Sequence, residues 1–197
     1  MPALSSAEPS AEAVQALVIV DIQTAFVTGD EAAPASEQLL VNLNDLLDRA
    51  RQSGALVVHL QNDGPSSAVD EPGTAGWELY FQAAESPREV VIRKLKDDGF
   101  DGTRLDEVLR QHGVDRVCVV GVMSEMCVLA TARAALERKF GVVMPHDGHA
   151  TFDIGPAPGA MEGVPAALAS RVAEWALGDE VEIIAYTTDV QFDPVSR

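Results

Sequence analysis

Two rhythms alternate along this chain. Short, nearly unbroken apolar runs are separated by stretches in which apolar residues recur at helical spacing. The runs Ala16-Leu17-Val18-Ile19-Val20, Ala55-Leu56-Val57-Val58-His59-Leu60, Glu89-Val90-Val91-Ile92, Arg116-Val117-Cys118-Val119-Val120, Gly141-Val142-Val143-Met144 and Val181-Glu182-Ile183-Ile184 predict strands. A strand that is apolar on both of its faces suits a parallel sheet covered on both sides. Between the runs, Leu39, Leu40, Leu43, Leu46, Leu47 and Ala50 predict a helix over 36–52, with Ser36 as N-cap and Gly54 as stop. Leu105, Val108 and Leu109 predict a second helix over 103–112, capped by Thr103 and stopped by Gly113. Further helices are predicted over roughly 124–139 and over 165–177, the latter with Pro165 in its first turn.

Strands alternating with helices, without internal repeats, define an α/β fold around a parallel sheet. Ligands in such sheets bind beyond the carboxyl ends of the strands, where the strand order reverses. Asp21, Lys94 and Cys127 each fall at or just after such an end. The polar stretch from Gln61 to Pro87, anchored by Trp77, Leu79, Tyr80 and Phe81, is long for a connection inside a compact domain. We expect it to help form the substrate pocket, together with Phe26.

A chain of 197 residues forms one domain. Residues 1–13, rich in Ala, Ser and Pro, read as a disordered lead-in with neither the basic nor the apolar region of a signal peptide, leaving 14–197 as the domain. No apolar run approaches the roughly 20 residues that span a bilayer. The formal net charge of -17 argues against nucleic acid and anionic membranes as partners and suits a cationic substrate. Two cysteines, Cys118 inside a strand and Cys127 beyond its end, make no disulfide framework and point to a reducing cytoplasm.

Cys127 carries the chemistry. A thiol in the first turn of a helix faces unpaired N–H groups and the positive end of the helix dipole, which favour the thiolate nucleophile. Lowering a pKa of about 8.5 by about two units makes the thiolate dominant at neutral pH. Lys94 supplies a neighbouring cation, and Asp21 moves protons: from the thiol, to a leaving nitrogen, then from water. Amide groups around Met123 and Cys127 offer an oxyanion hole.

The segments Val20-Asp21-Ile22-Gln23, Val91-Ile92-Arg93-Lys94, Phe100-Asp101-Gly102-Thr103-Arg104-Leu105 and Gly121-Val122-Met123-Ser124-Glu125-Met126-Cys127-Val128-Leu129-Ala130-Thr131-Ala132-Arg133 resemble the isochorismatase-like cysteine hydrolases, in the same order and spacing, over about 16–186. The resemblance implies a Rossmann-like three-layer sandwich with a six-stranded parallel sheet and an Asp21–Lys94–Cys127 triad. It also implies a non-proline cis peptide between Val122 and Met123, placing Val122, Met123 and Cys127 at the oxyanion hole. The family lysine precedes the Phe-x-Gly-Thr segment by six residues, which selects Lys94 over Lys96. Gln23, Phe26, Trp77 and His149 are the candidate pocket residues. The family's metal-binding members carry Asp-x-His after the second strand; His59-Leu60-Gln61-Asn62-Asp63-Gly64 lacks it, so no metal and no cofactor are expected. The nucleophilic cysteine favours cleavage of a C–N bond, other than a peptide bond, over a vinyl ether. The stretches 71–79, 121–133 and 145–151 look most like a bacterial subgroup that opens a lactam amide in a polycationic antibiotic, conferring resistance. Family members form homodimers or homotetramers.

Other readings stay open at this stage. His146 and His149 could serve Cys127 in a Cys–His pair. Asp147, His149 and Asp153 could be drawn as metal ligands, although no spacing is diagnostic. The substrate could be another small amide or carbamoyl compound, or the domain could bind without catalysis, because fold alone does not establish function.

Overall fold

A computed structural model of the chain describes residues 12–159 and 162–193. Most of the expected lead-in over 1–13 lies outside the described residues; Val14 already forms a bridge to Phe192. Strands β1 (Ala16–Val20), β2 (Leu56–Asn62), β3 (Glu89–Lys94), β4 (Arg116–Val122), β5 (Gly141–Pro145), β6 (His149–Ala150) and β7 (Val181–Ile184) form one sheet. Its order is β3-β2-β1-β4-β5-β7, and the two-residue β6 pairs with β4. Every pairing is parallel.

The alternation of side chains along each strand divides the interior into two cores. Ala16, Val18, Val20, Leu56, Val58, Leu60, Val117 and Val119 pack on one face with Leu105, Val108, Leu109, Ala132 and Ala135. These helical residues belong to α3 (Leu105–Gln111) and α4 (Leu129–Glu137). Leu17, Ile19, Val57, Cys118 and Val120 face the other way, against Leu39, Leu43, Leu46, Leu47 and Ala50 of α2 (Ser36–Ser53). Between β1 and α2 lies the single turn α1 (Thr24–Val27), and α5 (Ala166–Ala176) precedes β7. The result is the three-layer α/β sandwich expected from the sequence, with six principal strands and one short seventh.

Helix boundaries shift slightly from the sequence reading. Ser36 and Thr103 do not cap: Ala35 and Arg104 occupy the N-cap positions, without side-chain caps. The Thr103 hydroxyl instead donates to Gly99 O and accepts from Leu105 N. Gly54 does end α2, in the left-handed conformation at φ 77 that glycine adopts without steric cost. Pro165 stands one residue before α5 rather than within it.

The largest departure lies after β4. The expected continuous helix begins instead as a π-turn over Ser124–Val128, with Met126 at φ -113, ψ -105, before α4 runs from Leu129. Gly121 shapes the approach to this turn. A Cβ there would lie 2.1 Å from Val20 O on the neighbouring strand, so only glycine lets β4 lie this close to β1.

Candidate active site

The strand order reverses between β1 and β4, because β1 sends the chain outward to β2 and β3 while β4 leads to β5 and β7. In open α/β sheets, ligands bind outside the carboxyl ends of the strands at such a reversal. Asp21 leaves β1 there with φ 50, a left-handed conformation costing a non-glycine residue about 1–2 kcal/mol. Lys94 is the last residue of β3, and Cys127 sits in the π-turn beyond β4. The structure brings all three together: Lys94 Nζ lies 2.7 Å from Asp21 Oδ2 and 3.3 Å from Cys127 Sγ. Lys96, the alternative lysine, is exposed and pairs with Asp101.

All three side chains are nearly withdrawn from solvent; Asp21 and Lys94 are 2% exposed and Cys127 7%. Burial is therefore the largest single influence on the ionisation of each. It pushes the Asp21 carboxyl upward, against the opposing pull of the Lys94 ammonium and the Cys127 thiol. Burial alone would lower Lys94, but the charges of Asp21 and Cys127 outweigh it and raise the ammonium's pKa. Cys127 is pushed up by burial and by the Asp21 carboxylate, against the pull of Lys94. This corrects the expectation of a free-standing thiolate. The π-turn does not offset the loss of solvent, so burial favours the thiol over the thiolate, while Lys94 stays paired with Asp21 at 2.7 Å. Asp21 Oδ1 is buried with no hydrogen-bond partner, leaving an acceptor for one proton.

The Val122–Met123 peptide is cis, where the resemblance placed it. Beyond it, Met123 O accepts from the amides of Met126 and Val128 and not from that of Cys127. That arrangement is compatible with a role for the Cys127 amide toward a substrate oxygen.

The sequence reading missed two neighbours. Asn62, at the end of β2 and in register with Lys94, accepts from Lys94 Nζ at 3.3 Å and donates to Asp70 at 2.7 Å. The strand-end rule that selected Asp21 and Lys94 points to Asn62 equally well. Asp97, three residues past Lys94, accepts from Cys127 Sγ at 3.5 Å. Nothing in periodicity marks it, since it lies in the turn after β3.

The four candidate pocket residues do not share one place. Gln23 is fully buried and acts as a clamp: its amide donates to Asn62 O and Trp77 O, and its carbonyl accepts from Asn62 N. Trp77 is held by Asp63, to which its indole donates at 2.9 Å, and lies beneath the Arg93 guanidinium. The 61–87 stretch is thereby fastened to the ends of β1, β2 and β3, as a wall beside the site. Phe26 packs against the core on the α2 side.

His149 belongs elsewhere. With Nε2 donating to Glu174, its Nδ1 accepts from Ser124 at 2.8 Å, and Ser124 in turn contacts Ser170 at 2.9 Å. It lines a cavity of about 520 Å³ between α2 and the start of α5, together with His146 and Ser170, and none of Asp21, Lys94, Cys127, Gln23, Phe26 or Trp77 lines it. Grouping His149 in one pocket with the other three is therefore corrected: its ring is committed to Ser124 and Glu174. The same commitment takes it out of a Cys–His pair.

A parallel sheet with this reversal, a buried acid, lysine and thiol at its carboxyl edge, and a cis peptide before the cysteine define a class. The isochorismatase domain model matches residues 15–173, and the chain belongs to the isochorismatase family of hydrolases. Two streptothricin hydrolases of Streptomyces noursei are 56% and 57% identical, over 93% and 91% of this chain. The match spans 73% of one relative and 65% of the other, so both are longer than the region shared. Among solved structures, an isochorismatase from Pseudomonas putida superimposes with a TM-score of 0.80 at 26% identity, covering 89% of this chain and 90% of its own. N-carbamoylsarcosine amidase from Thermoplasma acidophilum gives 0.69 at 25% identity, over 86% and 95%.

Proposed function

We propose that this protein is a cysteine hydrolase that cleaves a non-peptide C–N bond, the lactam amide of streptothricin, through a thioester on Cys127. The observation that carries this reading is the Asp21–Lys94–Cys127 contact set, in which one buried carboxylate oxygen of Asp21 is left without a partner. The identity to the Streptomyces noursei streptothricin hydrolases supports this choice of substrate.

The chemistry starts from the thiol. Asp21 takes the sulfur proton as Sγ bonds to the carbonyl carbon, and the Lys94 ammonium offsets the charge on sulfur. The carbonyl oxygen becomes an oxyanion facing the Met123 and Cys127 amides, an interaction worth about 3–4 kcal/mol per donor. Asp21, now a carboxylic acid, gives its proton to the lactam nitrogen as the C–N bond breaks. The amine stays tethered in a lactam, and the acyl group remains on sulfur. Water then gives a proton to Asp21 and adds to the thioester carbonyl. The C–S bond breaks and the thiol regains its proton. Asp21 accepts and donates in turn, and a carboxyl raised toward neutrality suits both tasks better than an ordinary one.

The proposal includes a homodimer or homotetramer, supported by Leu168, Val172 and Trp175 exposed along one stripe of α5. Light scattering checks it; a monomer at micromolar concentration would contradict it. Cytoplasmic residence is supported by two free cysteines, and among the described residues no helix is long and apolar enough to cross a membrane.

The test is hydrolysis of streptothricin by purified protein, followed by mass spectrometry for the addition of one water. Carbamoyl compounds and simple primary amides are assayed alongside. Ring opening of streptothricin at the higher kcat/KM supports the reading. A preference for the carbamoyl or primary amides would move the substrate and keep the mechanism, whereas no turnover of any would leave a binding domain.

A further inference from the structure

We infer that Asp97 is a specificity residue that holds a cationic group of the substrate beside the nucleophile, so that the amides cleaved carry an ammonium or guanidinium close to the scissile carbonyl. This rests on the reading of Cys127 as nucleophile and narrows its substrate. Asp97 is exposed, yet its Oδ1 lies 3.5 Å from the largely buried Cys127 Sγ. It is thus a charged group that both touches the sulfur and meets solvent. Its backbone is fixed, because Asp97 O accepts from Thr131 in α4.

The carboxylate is free of any internal cation. Lys94 is committed to Asp21, Lys96 to Asp101 and Arg93 to Asp63, and among the described residues no Lys, Arg or His pairs with Asp97. One ammonium therefore faces two carboxylates around the sulfur. A thiolate formed there adds to the negative side, and a cation carried by the substrate would offset it. An N–H donor bound to Asp97 at about 2.8 Å would lie within about 6 Å of Sγ. A carbonyl carbon attacked by that sulfur would then be only a few bonds from the cation. The acceptable substrates are amides or lactams with a basic group at that separation.

The test uses peptide mass spectrometry to follow modification of Cys127 by three methanethiosulfonates: cationic 2-aminoethyl, neutral methyl and anionic 2-sulfonatoethyl. Rates are normalised to those of glutathione. The wild type is expected to favour the cation over the neutral reagent and to disfavour the anion. Asp97→Asn should lower the cation-to-neutral ratio about fivefold, the upper end of what an exposed charge pair contributes. Asp98→Asn, which removes the same charge one residue away, should lower it less than about twofold. Equal falls in both variants would assign the preference to the general negative field, and no fall in either would remove the role. A uniform slowing of all three reagents in Asp97→Asn would make it a base for the thiol. Failure of every reagent to reach Cys127 would exclude a substrate cation from this position. Each of these four results overturns the inference. Hydrolysis retained by Cys127→Ala would instead overturn the underlying reading, and is measured separately.

Discussion

Strand β3 buries a charged side chain at each end, and the two ends are built in opposite ways. At its start, Glu89 receives Arg51 through two hydrogen bonds of 2.9 and 2.7 Å and His59 Nε2 at 2.8 Å. Burial would raise this carboxyl, but Arg51 and His59 outweigh it and hold Glu89 below the ordinary range. At its end, Lys94 meets Asp21, whose second oxygen has no partner and whose carboxyl burial raises. One acid is satisfied and fixed as a carboxylate. The other is under-satisfied, held on a left-handed residue, and able to gain a proton. A satisfied cluster supports the fold, whereas one left short is where a reaction can be placed. The Ser124–His149–Glu174 chain resembles the first kind: burial would raise Glu174, but His149 and His146 lower it.

Exchanging the two acids for their amides should separate activity from stability. Asp21→Asn is expected to lower kcat/KM by about a thousandfold or more, measured at neutral pH, while the protein still melts cooperatively. A variant within tenfold of wild type would place the proton transfer elsewhere. Glu89→Gln should do the reverse. Weakening a largely buried pair with a half-exposed arginine costs about 2 kcal/mol, or about 6 °C in Tm, with turnover of the folded protein little changed. Loss of turnover without loss of Tm would dissolve the distinction between the two ends.

Acid sharpens it further. Burial lowers His59, so the folded protein keeps it neutral while the unfolded chain takes up a proton below about pH 6.5. Glu89, lowered in the fold, contributes stability above its unfolded pKa that is lost as pH falls toward its folded value. Both groups therefore reduce stability on acidification. Asp21, raised in the fold, acts with the opposite sign, because the folded state binds its proton first. Calorimetry from pH 7 to 4 should show a shallower fall of Tm in Glu89→Gln than in wild type, and a steeper one in Asp21→Asn. The acid limb of kcat/KM should lie above the ordinary carboxylate value of about 4. The smallest effect is expected at His149: His149→Ala should keep activity within about tenfold of wild type, since its ring serves Ser124 and Glu174. Complete loss there would restore the Cys–His pair.

Much of this molecule was legible in its sequence. Buried parallel strands are apolar on both faces, so their runs stand out in the sequence, and Asp21, Lys94 and Cys127 fall at or just after their ends. The sequence was silent where conformation depends on tertiary contact. The π-turn at Ser124–Val128 reads as ordinary helix because its residues have ordinary propensities. The rise in the Cys127 pKa comes from burial, to which a position in a first turn gives no guide. Asn62 stands at a strand end as Asp21 and Lys94 do, whereas Asp97 depends on the turn after β3, which periodicity does not mark.

The two free cysteines offer the most direct measurement. Both thiols are buried and pushed up by burial, but Cys118 lies within the sheet on the α2 side, while Cys127 touches Lys94. Streptothricin hydrolysis by Cys127→Ala and by Cys118→Ala, each checked for a cooperative melt, tests the claim that one sulfur performs the reaction. The account predicts background rates for Cys127→Ala and near-wild-type turnover for Cys118→Ala. Ring opening by Cys127→Ala at anything close to the wild-type rate would contradict it.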